Sequence, residues 1–237
     1  MGFERHKFMS FAEHGGENSA PQTIMVAMDV SGSMNEVDIP PSRLKAAVGA
    51  ASSMTSQMAE EHPDDEVGIV AFSSKAQIVH PPVPVGANLN SLLRAMDSLK
   101  TGNATNITAG LEAAGAGLGM ALAGQSAVGG SLLAWISRFI YEPVQGAPTP
   151  RRLARIILIS DGHHNTGRQP LSAAVIIKKA GGCIDVIGIG GAPDDVDPRL
   201  PQIASTNPDG SPRYCFIGDA QQLVKKFKSL GNRIRPV

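Results

Sequence analysis

The stretch Thr23-Ile24-Met25-Val26-Ala27-Met28-Asp29-Val30-Ser31-Gly32-Ser33-Met34 passes from an apolar segment straight into a loop of oxygen donors. Residues 24–28 are too few for an independent helix and read as a buried strand. Asp29, Ser31 and Ser33 follow at alternate positions, so their side chains point the same way. Hard oxygens at the mouth of a sheet suit a small hard cation such as Mg²⁺, which takes few protein ligands and keeps several waters.

Working outward, strand and helix patterns alternate. Pro40-Pro41 interrupts after the loop, and Ser42 is placed to cap a helix with Leu44, Ala47, Val48, Ala51, Met54 and Met58 at helical spacing. Residues 67–72 read as a second buried strand. Residues 76–80 follow too closely for a crossover, so they are expected to pair antiparallel as an edge hairpin that the Pro81, Pro82 and Pro84 cluster ends. Leu89, Leu92, Leu93, Met96 and Leu99 predict a short amphipathic helix, and Ile107, Leu111, Ala114 and Leu118 a longer one. Residues 153–160, 184–190 and 213–217 read as strands. Pro170 opens a helix that Gly181 closes, residues 198–204 suit a short helix, and Asp219 caps a last helix carrying Leu223, Phe227 and Leu230. The expected fold is α/β: a doubly wound, mostly parallel six-stranded sheet with one antiparallel edge strand and helices on both faces, Rossmann-like.

Composition bounds the function. The 237 residues are 42% hydrophobic, enough for a sizeable core, and only 4% aromatic, so that core must come from Val, Ile, Leu, Ala and Met. Lys+Arg and Asp+Glu both number 21, giving no global field for nucleic acid or an anionic membrane. No window reaches the roughly 18 apolar residues of a membrane span, and the first residues lack a signal core. A cytoplasmic protein is expected. Cys183 and Cys215 read as free thiols, although neighbouring strands would allow one bridge. Residues 1–21 form a polar leader and 22–237 the domain, with an insertion at about 124–150. A helix expected at 131–141 in that insertion carries Trp135, which either covers the core or anchors a partner.

Oxygen donors recur on two further loops: Thr105 at the start of a helix, and Asp161 after the fourth strand. In a doubly wound sheet such loops meet where the winding reverses. Asp29-Val-Ser-Gly-Ser33, Thr105-Asn-Ile and Ser160-Asp161-Gly162 together resemble the metal-ion-dependent adhesion site of the von Willebrand factor type A domain family, in its bacterial form. The resemblance covers about residues 22–231. It implies that Asp29, Ser31, Ser33, Thr105 and Asp161 hold Mg²⁺ or Mn²⁺, with a position left for a carboxylate of a protein partner. Thr108 is read as packing or capping.

The resemblance thus implies a binding module and no enzyme. An alternative is service as a subunit beside an AAA+ ATPase of the MoxR or chelatase kind, the nucleotide belonging to that partner because this chain has no phosphate-binding loop. A metal-dependent hydrolase, with His163 or His164 as base, is the less favoured alternative. Both histidines are also expected at the rim, where they could contact the partner. Asp194, Asp195 and Asp197 lack the glycine and final glutamate of a calcium loop and read as a solvated turn.

Overall fold

The computed structural model describes residues 20–120 and 152–232. Trp135, the expected 131–141 helix and nearly all of the leader lie outside the described residues. Six strands, β1 (Gln22–Asp29), β2 (Glu66–Phe72), β3 (Ala76–Pro84), β4 (Leu153–Ser160), β5 (Cys183–Ile189) and β6 (Tyr214–Ile217), form one sheet in the order β3-β2-β1-β4-β5-β6. All neighbours are parallel except β2 and β3. The chain winds outward from β1 to β3, returns to β4 and winds out the other way. The reversal therefore lies between β1 and β4, and their carboxyl ends open the crevice where such sheets bind ligands.

β1 is buried along its whole length, as a central parallel strand must be. Its alternate residues feed two cores. Ile24, Val26 and Met28 meet α1 (Arg43–Glu61), α2 (Val85–Asp97) and α6 (Ala220–Gly231), whereas Met25 and Ala27 meet α3 (Ile107–Gly117), α4 (Pro170–Lys179) and α5 (Leu200–Ile203). The six apolar positions read for α1 and the three read for α6 are all buried. Ser42 and Asp219 cap these helices: Ser42 Oγ accepts from Lys45 N at 3.2 Å and Asp219 Oδ1 from Gln221 N at 2.8 Å. Gly181 takes the left-handed conformation (φ 84°) just past α4.

The structure corrects the sequence reading at three places. β3 does not stop at His80 but continues through Pro81 and Pro82 to Pro84, with register shifts against β2 between Val67 and Val70. An edge strand tolerates proline because its outer N–H groups have no ladder to join. α2 starts at Val85, directly after that strand, rather than near Leu89. The 194–197 segment is not wholly solvated: Asp197 is fully buried, accepting from His164 N at 2.8 Å and from Arg199. The thiols of Cys183 and Cys215 are free. Cys215 is in register with Ile187, four positions along β5 from Cys183, roughly 13 Å at strand rise and beyond disulfide reach.

Candidate functional site

Each oxygen-bearing residue is delivered by a strand end or a clamped loop. Asp29 is the last residue of β1, and its buried carboxylate turns back on the loop that follows: Oδ1 accepts from Ser31 N at 2.8 Å, and Oδ2 accepts from Ser160 Oγ, at the end of β4, at 2.6 Å. The chain then makes a short 3-10 turn, Gly32–Asn35, which Ser31 precedes without capping it by its side chain. The Ser31 hydroxyl is instead 3.2 Å from that of Ser33, and Ser33 Oγ donates to Asp161 Oδ1 at 3.0 Å across 128 positions of sequence.

The third loop is fastened from both sides. Gly102 N donates to Val30 O and Gly32 N to Asn103 O, which lay residues 101–105 against the serine loop. Asn165 Oδ1 accepts from Thr105 N at 3.0 Å while Asn165 N donates to Thr105 O at 3.1 Å. A Cβ on Gly162 would stand 2.8 Å from Thr105 Oγ1, so only glycine lets the Asp161 loop approach the threonine this closely. Thr108, as read, serves structure: its hydroxyl donates to Arg168 O. Asp29, Ser31, Ser33, Thr105 and Asp161 thus come together at the carboxyl ends of β1 and β4, from three loops. Ser160 stands in the third motif, but local sequence does not announce its bond to Asp29 or that of Asn165 to Thr105; only the fold brings these partners together.

The electrostatics are those of two crowded acids. Burial pushes the Asp29 carboxyl up to about 7, against the lowering effect of its Ser160 and Ser31 hydrogen bonds, and the charge of Asp161 adds to the rise. Burial also raises Asp161, opposed by Arg43 and Ser33. Arg43, the first residue of α1 and only 5% exposed, places Nη1 2.8 Å from Asp161 Oδ2. Its Nε and Nη2 are held by Asp38, and Nη2 also by Glu36 at 2.7 Å. The sequence reading missed Arg43, because an arginine at the first turn of an amphipathic helix looks like an ordinary surface charge.

The two histidines behave differently. His163 is exposed beside the site. His164 Nδ1 accepts from Ile107 N at 3.2 Å, which leaves the proton on Nε2, and Nε2 is shut from solvent with no hydrogen-bond partner among the described residues. Burial first, then the charge of Arg199, lowers its pKa, against the pull of Asp197.

Donor chemistry tests whether an ion fits. Among the described residues no cluster of three or more His, Cys, Asp or Glu could hold a metal. An ion would therefore rest on hydroxyls beside two carboxylates, an all-oxygen set suited to Mg²⁺ or Mn²⁺. Adjacent ligands of an octahedral Mg²⁺ stand about 2.9 Å apart, given metal–oxygen distances of about 2.0–2.1 Å. The Ser31–Ser33 separation of 3.2 Å lies close to that. The residues present fit the group.

Fold and site define an α/β domain that gathers oxygen-bearing side chains at its topological switch point. The von Willebrand factor type A domain profile matches residues 24–164, and the chain belongs to that family. It is 30% identical over 147 residues to a UPF0353 protein of Mycolicibacterium paratuberculosis, covering 62% of this chain and 36% of that one. This chain spans less than half the length of the curated relatives it matches. Among solved structures it is similar to a von Willebrand factor type A protein of Catenulispora acidiphila, with a TM-score of 0.61 at 18% identity, covering 90% of this chain and 42% of that one. It is also similar to proximal thread matrix protein 1 of the mussel byssus, described with a zinc-occupied MIDAS motif, with a TM-score of 0.58 at 17% identity, covering 90% and 47%. At these identities the likeness shows the fold. No helix among the described residues is long and apolar enough to cross a membrane.

Proposed function

We propose that this chain is a divalent-cation-dependent binding module. In this reading Asp29, Ser31, Ser33, Thr105 and Asp161 hold Mg²⁺ or Mn²⁺, and an acidic side chain of a protein partner completes the ion. The observation that carries it is the Ser33–Asp161 hydrogen bond at 3.0 Å, which ties the β1 loop to the β4 loop with Thr105 against Gly162. Helix capping does not account for the set as a whole, since Ser31 makes no side-chain cap bond, Asn106 and not Thr105 caps α3, and Gln169 precedes α4. Two buried carboxylates side by side suit a divalent cation, and because they at most balance its charge an incoming acid is not repelled.

The placement of His164 counts against its service as a general base. His164 commits Nδ1 to the Ile107 amide and has Nε2 sealed, so it offers no lone pair to a reacting water. The zinc-occupied motif of the mussel protein supports a divalent ion at the equivalent place in a related fold. Isothermal titration of Mg²⁺ and Mn²⁺ into chelator-stripped protein tests the reading. Wild type should bind one ion per chain, and Asp29→Ala and Ser33→Ala should bind at least a hundredfold more weakly while keeping their far-ultraviolet spectra. Unchanged affinity in both folded variants overturns it.

A further inference from the structure

We propose that Arg43 is a built-in counter-ion of this site, a positioning residue that neutralises Asp161 from behind and thereby sets how tightly the site holds a divalent cation. The inference rests on the proposed ion site and concerns its regulation. Both oxygens of Asp161 are engaged: Oδ1 takes the Ser33 hydroxyl at 3.0 Å and Oδ2 takes Arg43 Nη1 at 2.8 Å. The guanidinium does not swing freely. Asp38 grips it through Nε at 2.9 and 3.2 Å and through Nη2 at 2.6 Å, and Glu36 holds Nη2 at 2.7 Å.

These contacts divide the arginine between two tasks. Asp38 and Glu36, at 29% and 57% exposure, anchor it at the rim, whereas Nη1 faces the fully buried Asp161 side chain. A planar fork with a permanent charge suits this double role, which a lysine could fill only at a single point. Asp29 and Asp161 are the two carboxylates that an ion would meet, and Arg43 cancels one of them. The ion is then bound less tightly, and the positive charge left over is available to an incoming acid. For a unit charge about 6 Å from a divalent one, even the water-like limit of screening changes ion affinity by about tenfold.

The test is a Mn²⁺ titration followed by electron paramagnetic resonance on wild type, Arg43→Gln, Arg43→Met, Arg43→Lys and Asp38→Asn, each checked by thermal melting in chelator. The uncharged variants should bind Mn²⁺ at least tenfold more tightly than wild type although they melt at lower temperature. Arg43→Lys should return affinity to within about threefold of wild type, and Asp38→Asn, which leaves the Asp161 contact in place, should also stay within threefold. A merely structural arginine predicts the opposite: weaker binding in every destabilised variant. Unchanged or weaker binding in folded Arg43→Gln or Arg43→Met overturns the inference, as does tightening in Asp38→Asn equal to theirs. If neither uncharged variant folds, Arg43→Lys decides: near-wild-type affinity supports the role and a loss beyond tenfold refutes it. Wild type that binds no Mn²⁺ while Arg43→Gln does would support it more strongly still, whereas no binding by any variant would overturn the ion site itself.

Discussion

Arg155→Met removes the largest of the fully buried side chains among the described residues, 1% exposed at the third position of a mostly apolar β4. Four contacts go with it: Nε to Asp185 Oδ2 at 2.7 Å, and Nη1 to Gln22 Oε1 at 3.5 Å and to the carbonyls of Leu230 at 2.6 Å and Asn232 at 3.3 Å, at the end of α6. Breaking a buried ion pair costs about 3–5 kcal/mol because the partner is stranded. Here Asp185 keeps Arg213 Nε at 2.9 Å, which argues for the lower end, about 3 kcal/mol. For a domain of this size about 3 kcal/mol corresponds to a Tm lowered by roughly 6–12 °C. Hydrogen exchange should also lose protection over the last turn of α6, while β1 keeps it. Differential scanning calorimetry with exchange mass spectrometry reads both. A Tm within about 2 °C of wild type, or α6 protection unchanged, would refute the view that Arg155 pins that helix to the sheet.

Other consequences follow from the same contacts. In chelator, the folded chain keeps a proton on Asp29 up to about pH 7, which an ordinary aspartate near 3.8 has lost. The associated stability is complete below about pH 4 and is lost as the pH rises to about 7, by up to about 4 kcal/mol. Subtracting the Tm profile of Asp29→Asn from that of wild type should therefore give a difference that falls between about pH 4 and 7 and levels off above, and a rising difference would contradict the burial argument. Gly162→Ala drives a methyl against Thr105 Oγ1, so ion affinity should drop about tenfold with Tm little changed; calorimetric titration checks it. Phe227→Ala opens a cavity beneath α6, where the ring is fully buried, and should cost about 3–5 kcal/mol in chemical denaturation.

Much of this architecture is legible from residue order. The apolar runs that became β1, β4 and β5 are short, β-branched and bounded by turns, and parallel strands buried on both faces leave little room for another reading. Asp29, Ser31 and Ser33 declare themselves by alternation within one loop. Thr105 and Asp161 needed the order of all three motifs, since each alone looks like a helix start or a turn. What stayed hidden depends on contacts across the fold. Arg43 and Arg155 act through carboxylates 118 and 30 residues away, and Asn165 through the backbone of Thr105, 60 residues away. The extended β3 was missed for a related reason: proline ends a central strand but not an edge, and only the sheet order shows which strand is the edge.

The most direct test of the ion site is anomalous diffraction near the manganese edge from crystals soaked in Mn²⁺. The account predicts one strong peak per chain between the hydroxyls of Ser31 and Ser33 and beside Thr105, with Asp29 and Asp161 near it. A peak elsewhere, or no peak at a concentration that saturates wild type in solution, would contradict it.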